Sequence, residues 1–236
     1  MGILLLDRTG SNDAFDRPFI PGSVGNASTW SVPVRYKTVP GLSFTKLVAP
    51  EADDALAAAH AAVELVREGA RMITAHCGFM IRYQEAVRAA VDVPVLLSPL
   101  LLIPFLEQML PHNKAISIIT AKASSLTPEV LKAAGVPASS DRLFIAGLEG
   151  APCFAAAFLT YSSDLDAGAV EKETVDAAVA LVNNHPEIGM LLFECSELPP
   201  YAAAVQRATG IPVFDFTSMV EFVVGSLIRK RFIGVY

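Results

Sequence analysis

Short apolar runs alternate with amphipathic, alanine-rich stretches along almost the whole chain. Runs at Ile3–Leu6, Leu42–Leu47, Met72–Ala75, Val95–Leu97, Ala115–Thr120, Arg142–Ala146, Met190–Phe193 and Val213–Phe216 have strand length and strand composition. Between them the apolar positions recur at helical spacing. This predicts helices over Ala52–Glu68, Phe79–Ala90, Leu101–Leu110, Pro128–Ala134, Ala167–Asn184, Tyr201–Thr209 and Ser218–Arg229. Pro128 suits the first turn of its helix, with Thr127 before it as a cap. Strand-then-helix alternation places the chain in the α/β class, with mainly parallel sheets flanked by helices. Two stretches resist the pattern. Residues 7–41 are dense in Pro and Gly and hold Trp30, and residues 147–169 hold Cys153, Phe154, Phe158 and Tyr161. A loop of the first kind serves either as a pocket wall or lid, or as a surface excursion or oligomer contact.

The alternation also repeats. Displaced by 118 residues, Cys77 falls on Cys195, and the surrounding segments align without a gap. Tyr83 meets Tyr201, Ala86 meets Ala204, Val87 meets Val205 and Ala90 meets Ala208; Pro94 and Val95 meet Pro212 and Val213. With the cysteines, that is seven identities in the twenty-three positions from Ile73 to Val95. Two pseudo-symmetric lobes follow as an expectation. One takes residues 1–97 plus 213–236 and carries the first thiol; the other takes residues 98–212 and carries the second. A crevice between such lobes, at the carboxyl ends of the strands, is where α/β folds take small ligands.

Composition narrows the function classes. The 236 residues are 53% hydrophobic, with a mean hydropathy of +0.45, yet Pro and polar residues interrupt every apolar run before it reaches membrane-spanning length. The start, MGILLLDRTG, lacks the basic region and long apolar stretch of a signal peptide. A net charge of −6 with dispersed Lys and Arg gives no nucleic-acid footprint, and Arg229–Arg231 suits the end of a helix. Three cysteines without paired or metal-binding spacing point to free thiols in a reducing, cytoplasmic setting. Exposed apolar helices in so hydrophobic a chain favour homo-oligomers.

Each repeated cysteine ends an apolar strand and precedes a helix: MITAHC then Gly78, MLLFEC then Ser196. Gly78 permits a tight turn, and Ser196 is a good N-cap. A thiol there meets the free N–H groups of the following turn, which favours thiolate and can hold a substrate carboxylate. The competing reading is two ordinary buried cysteines; Cys153, in the apolar APCFAAAF, reads as core. Asp7 and Thr120 sit at strand ends, with Ser124 and Ser125 just beyond the latter; Gly78, Phe79, Ser196 and Glu197 adjoin the thiols. All are candidates for holding substrate, although Ser124 and Ser125 equally suit turn capping. His76 and Glu194, directly before the cysteines, are candidates for tuning them.

HCGF at the first thiol, ECSEL at the second and the two-lobed layout resemble the aspartate/glutamate/hydantoin racemase superfamily. ECSEL is similar to the C-T-E-L around the second cysteine of its aspartate-racemase-like members, Ser196 keeping the hydroxyl of Thr. Asp7-Arg8-Thr9 departs from the acid–Ser pair of glutamate racemases, and Cys77-Gly78-Phe79 from their Cys-Asn-Thr. The segment PGSVGNASTWSVPVRYKTVPG, together with HCGFMIRYQ, resembles the algal dimethylsulfoniopropionate lyases. The superfamily likeness implies cofactor-independent racemisation or epimerisation of a small carboxylate, an amino acid or hydantoin. One of Cys77 and Cys195 would take the Cα proton while the other returns one to the opposite face. The algal likeness implies a cysteine-based lyase or isomerase instead, eliminating a sulfonium group after the same proton removal. A carboxylate-binding protein without catalysis is the remaining expectation.

Overall fold

The computed structural model describes residues 1–7, 19–48, 52–137 and 141–234. Two four-stranded parallel sheets form its frame. The first contains β1 (Gly2–Leu5), β2 (Arg35–Thr38), β3 (Ile73–Ala75) and β4 (Val95–Leu96), in the order β2-β1-β3-β4. The second contains β5 (Ala115–Thr120), β6 (Leu143–Gly147), β7 (Ile188–Phe193) and β8 (Val213–Phe214), in the order β6-β5-β7-β8. The strand order is therefore the same in both halves. The register repeats as well: Ile73 pairs with Val95 and Leu191 with Val213, one pair being the other moved along by 118 residues. All-parallel sheets need cover on both faces. Here it comes from α1 (Phe44–Val48), α2 (Ala52–Arg67), α3 (Gln84–Ala90), α4 (Ile103–Met109), α5 (Pro128–Ala133), α6 (Pro152–Phe158), α7 (Ala167–Asn184), α8 (Ala202–Thr209) and α9 (Phe216–Leu227).

The largest apolar cluster joins the halves, with Leu4 and Ile73 of the first sheet in one core with Ile116, Ile118 and Leu192 of the second. A separate cluster around Phe154, Phe193 and Tyr201 fills the second half. The chain end then crosses back. Phe216, Met219, Val220 and Val224 of α9 pack on Ile3, Val24, Trp30 and Met72 of the first half. That helix starts at a reciprocal cap, in which the Asp215 carboxylate accepts the Ser218 N–H at 3.0 Å while Ser218 Oγ accepts the Asp215 N–H at 2.8 Å.

Four sequence expectations change. The run Leu42–Leu47 is not a strand but leads into α1, because the hydroxyl and carbonyl of Ser43 cap Lys46 and Leu47. The true edge strand, β2, reads RYKT and is largely solvent-facing, so its polar residues hide it. Val213–Phe214, expected with the first lobe, pairs with β7 in the second sheet, and only the helix after it packs on the first. The stretch 147–169 contains α6, whose first N–H groups, Cys153 and Phe154, donate to the Glu173 carboxylate at 2.8 Å.

Candidate active site

Cys77 and Cys195 each follow the third strand of their sheet, and both line one cavity of about 50 Å³ at the carboxyl ends of the strands. Cys77 is extended (φ −170°, ψ 125°) and starts the 3₁₀ turn Gly78–Tyr83; Cys195 starts a turn closed by the Leu198 N–H on its carbonyl. The two turns touch. Ser196 Oγ donates to the His76 carbonyl at 3.2 Å, and the open side of Gly78 lies against the Glu194 side chain and carbonyl.

The proline- and glycine-rich loop is the site's outer support. Ser23 Oγ donates to Glu197 Oε2 at 3.0 Å, and the Val24 N–H reaches the Ser196 carbonyl at 3.3 Å. Phe19 meets the His76 ring edge-on at 4.8 Å. His76 Nε2 stands 3.1 Å from Glu197 Oε1, an ion-pair distance without the alignment of a hydrogen bond. Aromatic walls come from Phe44 and Phe79 of the first half and from Phe158 and Tyr161 of the second. Tyr161 has φ +56°, the one positive φ among described residues other than glycine. Such backbone strain gathers at ligand-facing positions.

The electrostatics run against thiolate at the second cysteine. Burial pushes the Cys195 thiol up, followed by the neighbouring Glu194 carboxylate; Glu197 and Cys77 add to this, and the Glu197 N–H opposes it. The helix-end donors expected to favour thiolate are outweighed here, because the surrounding protein displaces water and brings two carboxylates. Glu194 itself is 1% exposed and is pushed up to about 7 by burial, with the Thr120 hydroxyl, donating at 2.7 Å to Oε2, pulling the other way. Glu194 Oε1 has no hydrogen-bond partner.

This carboxyl sets a pH dependence of stability. Below about 4.5, its ordinary value, it is protonated in both folded and unfolded chains. Between 4.5 and about 7 only the unfolded chain releases the proton. Its contribution therefore disappears as pH rises through that window, at about 1.4 kcal/mol per unit. Urea unfolding at pH 5 and pH 7.5 should show this loss, and Glu194→Gln should flatten it; an unchanged slope in the variant would contradict the burial argument.

No family model matches the chain. Among curated proteins, it is 31% identical over 223 residues to a dimethylsulfoniopropionate lyase of Durusdinium sp. clade D, covering 92% of this chain and 73% of that one. It is also 31% identical over 242 residues to dimethylsulfoniopropionate lyase 7 of Emiliania huxleyi, covering 98% of this chain and 68% of that one. The chain belongs to the dimethylsulfoniopropionate lyase family. Its fold is that of the aspartate/glutamate racemase superfamily, as expected. Allantoin racemase from Pseudomonas fluorescens superposes with a TM-score of 0.56 at 16% identity, over 97% of this chain and 91% of that one. The aspartate racemase of Picrophilus torridus gives 0.57 at 13%, over 98% and 95%. Arylmalonate decarboxylase gives 0.54 at 14%, over 96% and 91%.

In this family member, Gly78, Phe79, Ser196 and Glu197 line the cavity beside the two thiols. Thr120 reaches it only through Glu194. Asp7 turns its carboxylate to the Gly41 N–H at 2.7 Å. Ser124 is exposed, Ser125 is buried, and neither lines the cavity. Of the scattered cations, Arg35 pairs with Glu68 at 3.2 Å, and Arg8 lies outside the described residues. Sequence reasoning missed Leu6, Phe44, Ala121 and Leu159 as walls and gave no role to Tyr161. No Lys or Arg is among the described lining residues. Among the described residues, no helix is long and apolar enough to cross a membrane.

Proposed function

We propose that this protein is a cysteine-based lyase acting on dimethylsulfoniopropionate or a close sulfonium carboxylate. A thiolate removes the proton from the carbon next to the carboxylate. The electron pair forms the carbon–carbon double bond, and the carbon–sulfur bond breaks to release neutral dimethyl sulfide and acrylate. The thiol then returns its proton to water. Only one base is needed, and the leaving group needs no acid. The cavity supports this reading through its chemistry: thiols, carboxylates and aromatic rings beside His76, with no Lys or Arg among the described lining residues. Such a lining suits a substrate that carries its own positive charge, since carboxylates and ring faces both attract an onium group. The substrate carboxylate falls to backbone N–H groups of the turn starting at Gly78, whose first donors have no acceptor within the turn.

We assign the base to Cys77 and treat Cys195 as the thiol that stays protonated. Burial, the carboxylates and any charge on Cys77 all oppose a second thiolate. A thiolate stripped of water is also a stronger base than one in solution, and the bound cation helps the thiol to ionise. At about 50 Å³ the cavity holds one or two waters, so substrate entry requires movement of its walls. Tyr161, with its strained backbone, is the natural part to move.

Two thiols on one cavity also fit racemisation, with a proton delivered to the opposite face. Proton NMR in heavy water separates the readings. Vinyl signals and volatile sulfide from dimethylsulfoniopropionate are the expected result. Deuterium entering Cα of an amino acid or hydantoin, with no alkene from the sulfonium acid, would replace the lyase by a racemase.

A further inference from the structure

Glu194 carries a polar atom that the fold leaves unsatisfied at the reacting cavity. Its side chain is 1% exposed and lines the cavity together with Cys77, Gly78 and Cys195. Oε2 accepts the Thr120 hydroxyl; Oε1 accepts nothing and lies at the bare side of Gly78. A buried acceptor without a donor is costly, and its persistence beside a cavity indicates that something else completes it. The second carboxylate of the cavity is already engaged, since Glu197 holds Ser23 and stands against His76.

We propose that Glu194 is the cation-binding residue of this site, its Oε1 receiving the onium group of a sulfonium or ammonium carboxylate. The inference rests on the lyase reading above and adds the residue that selects charge. Phe158 and Tyr161, on the same cavity, supply ring faces for the methyl groups around the onium centre. The cation has a second effect. By neutralising the field of Glu194 it weakens one of the forces that hold Cys195 protonated, so the charge state of the thiols depends on the substrate being present.

Binding is then linked to a proton. With no ligand the Glu194 carboxyl titrates near 7, and an onium group requires the carboxylate. Affinity for the cation therefore rises with pH and levels off above about 7.5. The other groups facing this cavity are His76, Cys77, Tyr161, Cys195 and Glu197. A carboxylate of the same shape without the onium charge reports any titration of theirs that acts on binding generally, because only the onium group distinguishes the two.

The test uses calorimetry on the full chain with two unreactive carboxylates of equal shape. One is 3-(trimethylammonio)propionate; the other is its carbon isostere, 4,4-dimethylpentanoate, which lacks the onium charge. The wild type should bind the cation at least about tenfold more tightly at pH 8, the ratio shrinking several-fold by pH 6, on the scale of tenfold per unit of proton linkage. Glu194→Gln keeps the volume and the Thr120 bond. It should cut the ratio at pH 8 several-fold and leave it independent of pH, the remainder coming from the ring faces, while keeping the isostere within about twofold at pH 6. An undiminished ratio in Glu194→Gln, or a pH-independent preference in the wild type, overturns the assignment. Sulfide release from dimethylsulfoniopropionate is scored separately. A wild type that prefers the cation through Glu194 yet releases no sulfide keeps this site and loses the lyase.

Discussion

Cys77→Ser should lower turnover of the sulfonium acid by about 10²- to 10⁴-fold, the range that a positioned general base contributes. The hydroxyl keeps the shape of the thiol but is far too weak an acid to be anionic at neutral pH. Cys77 gives no side-chain cap to the turn that follows it, so the loss should appear in kcat with little change in circular dichroism or melting temperature. Cys195→Ser should be milder, because that thiol is held protonated in the empty site. The pair of variants discriminates among the mechanisms. Severe loss in both supports two-sided proton exchange, severe loss in Cys195→Ser alone reverses the roles, and near-normal activity in both removes the cysteines from the chemistry.

The parts of this arrangement that are local along the chain were readable before the fold was known. The displacement from Cys77 to Cys195 marked equivalent positions in two sheets because strand, thiol and following turn are contiguous in each half. Ala167–Asn184 was readable to the residue, since its apolar positions keep helical period. What depends on distant partners was not readable. The loop around Ser23 gave no sign that it would hold Glu197, 174 residues away. Asp7, Thr120, Ser124 and Ser125 all follow from the rule that ligands meet strand ends. That rule places a residue near the crevice without saying where its side chain turns, and Asp7 turns to Gly41. The expectation of a thiolate at Cys195 fails for the same reason. A turn's donors are visible in sequence, whereas the water excluded around Cys195 is a property of both lobes together. Glu194 stood next to the cysteine throughout, but only burial turns an ordinary glutamate into one that titrates near 7.

Gly78→Ala should damage the site as severely as loss of a thiol, through space rather than backbone strain. A Cβ at this position would meet Glu194 Oε1, the Glu194 carbonyl oxygen and Cδ, each closer than the 3.0 Å that real Cβ atoms respect. The side chain can swing away, but the carbonyl is fixed at the end of β7, where the Glu194 N–H donates to Ile119 at 3.0 Å. The two cysteine-bearing turns must therefore separate. A displacement near 1 Å between catalytic groups costs on the order of 10²-fold in rate, and overpacking costs about 1–3 kcal/mol of stability. The expected signature is a drop in kcat together with a melting temperature lower by several degrees. Glu194→Ala in the same chain distinguishes the two sources of the clash. Removing the carboxyl relieves Oε1 and Cδ but leaves the carbonyl, so the double variant should recover part of the stability and little of the turnover. Full recovery would mean that the side chain alone held the turns at their spacing, and a Gly78→Ala protein with normal rate and melting would mean that the turns do not approach so closely.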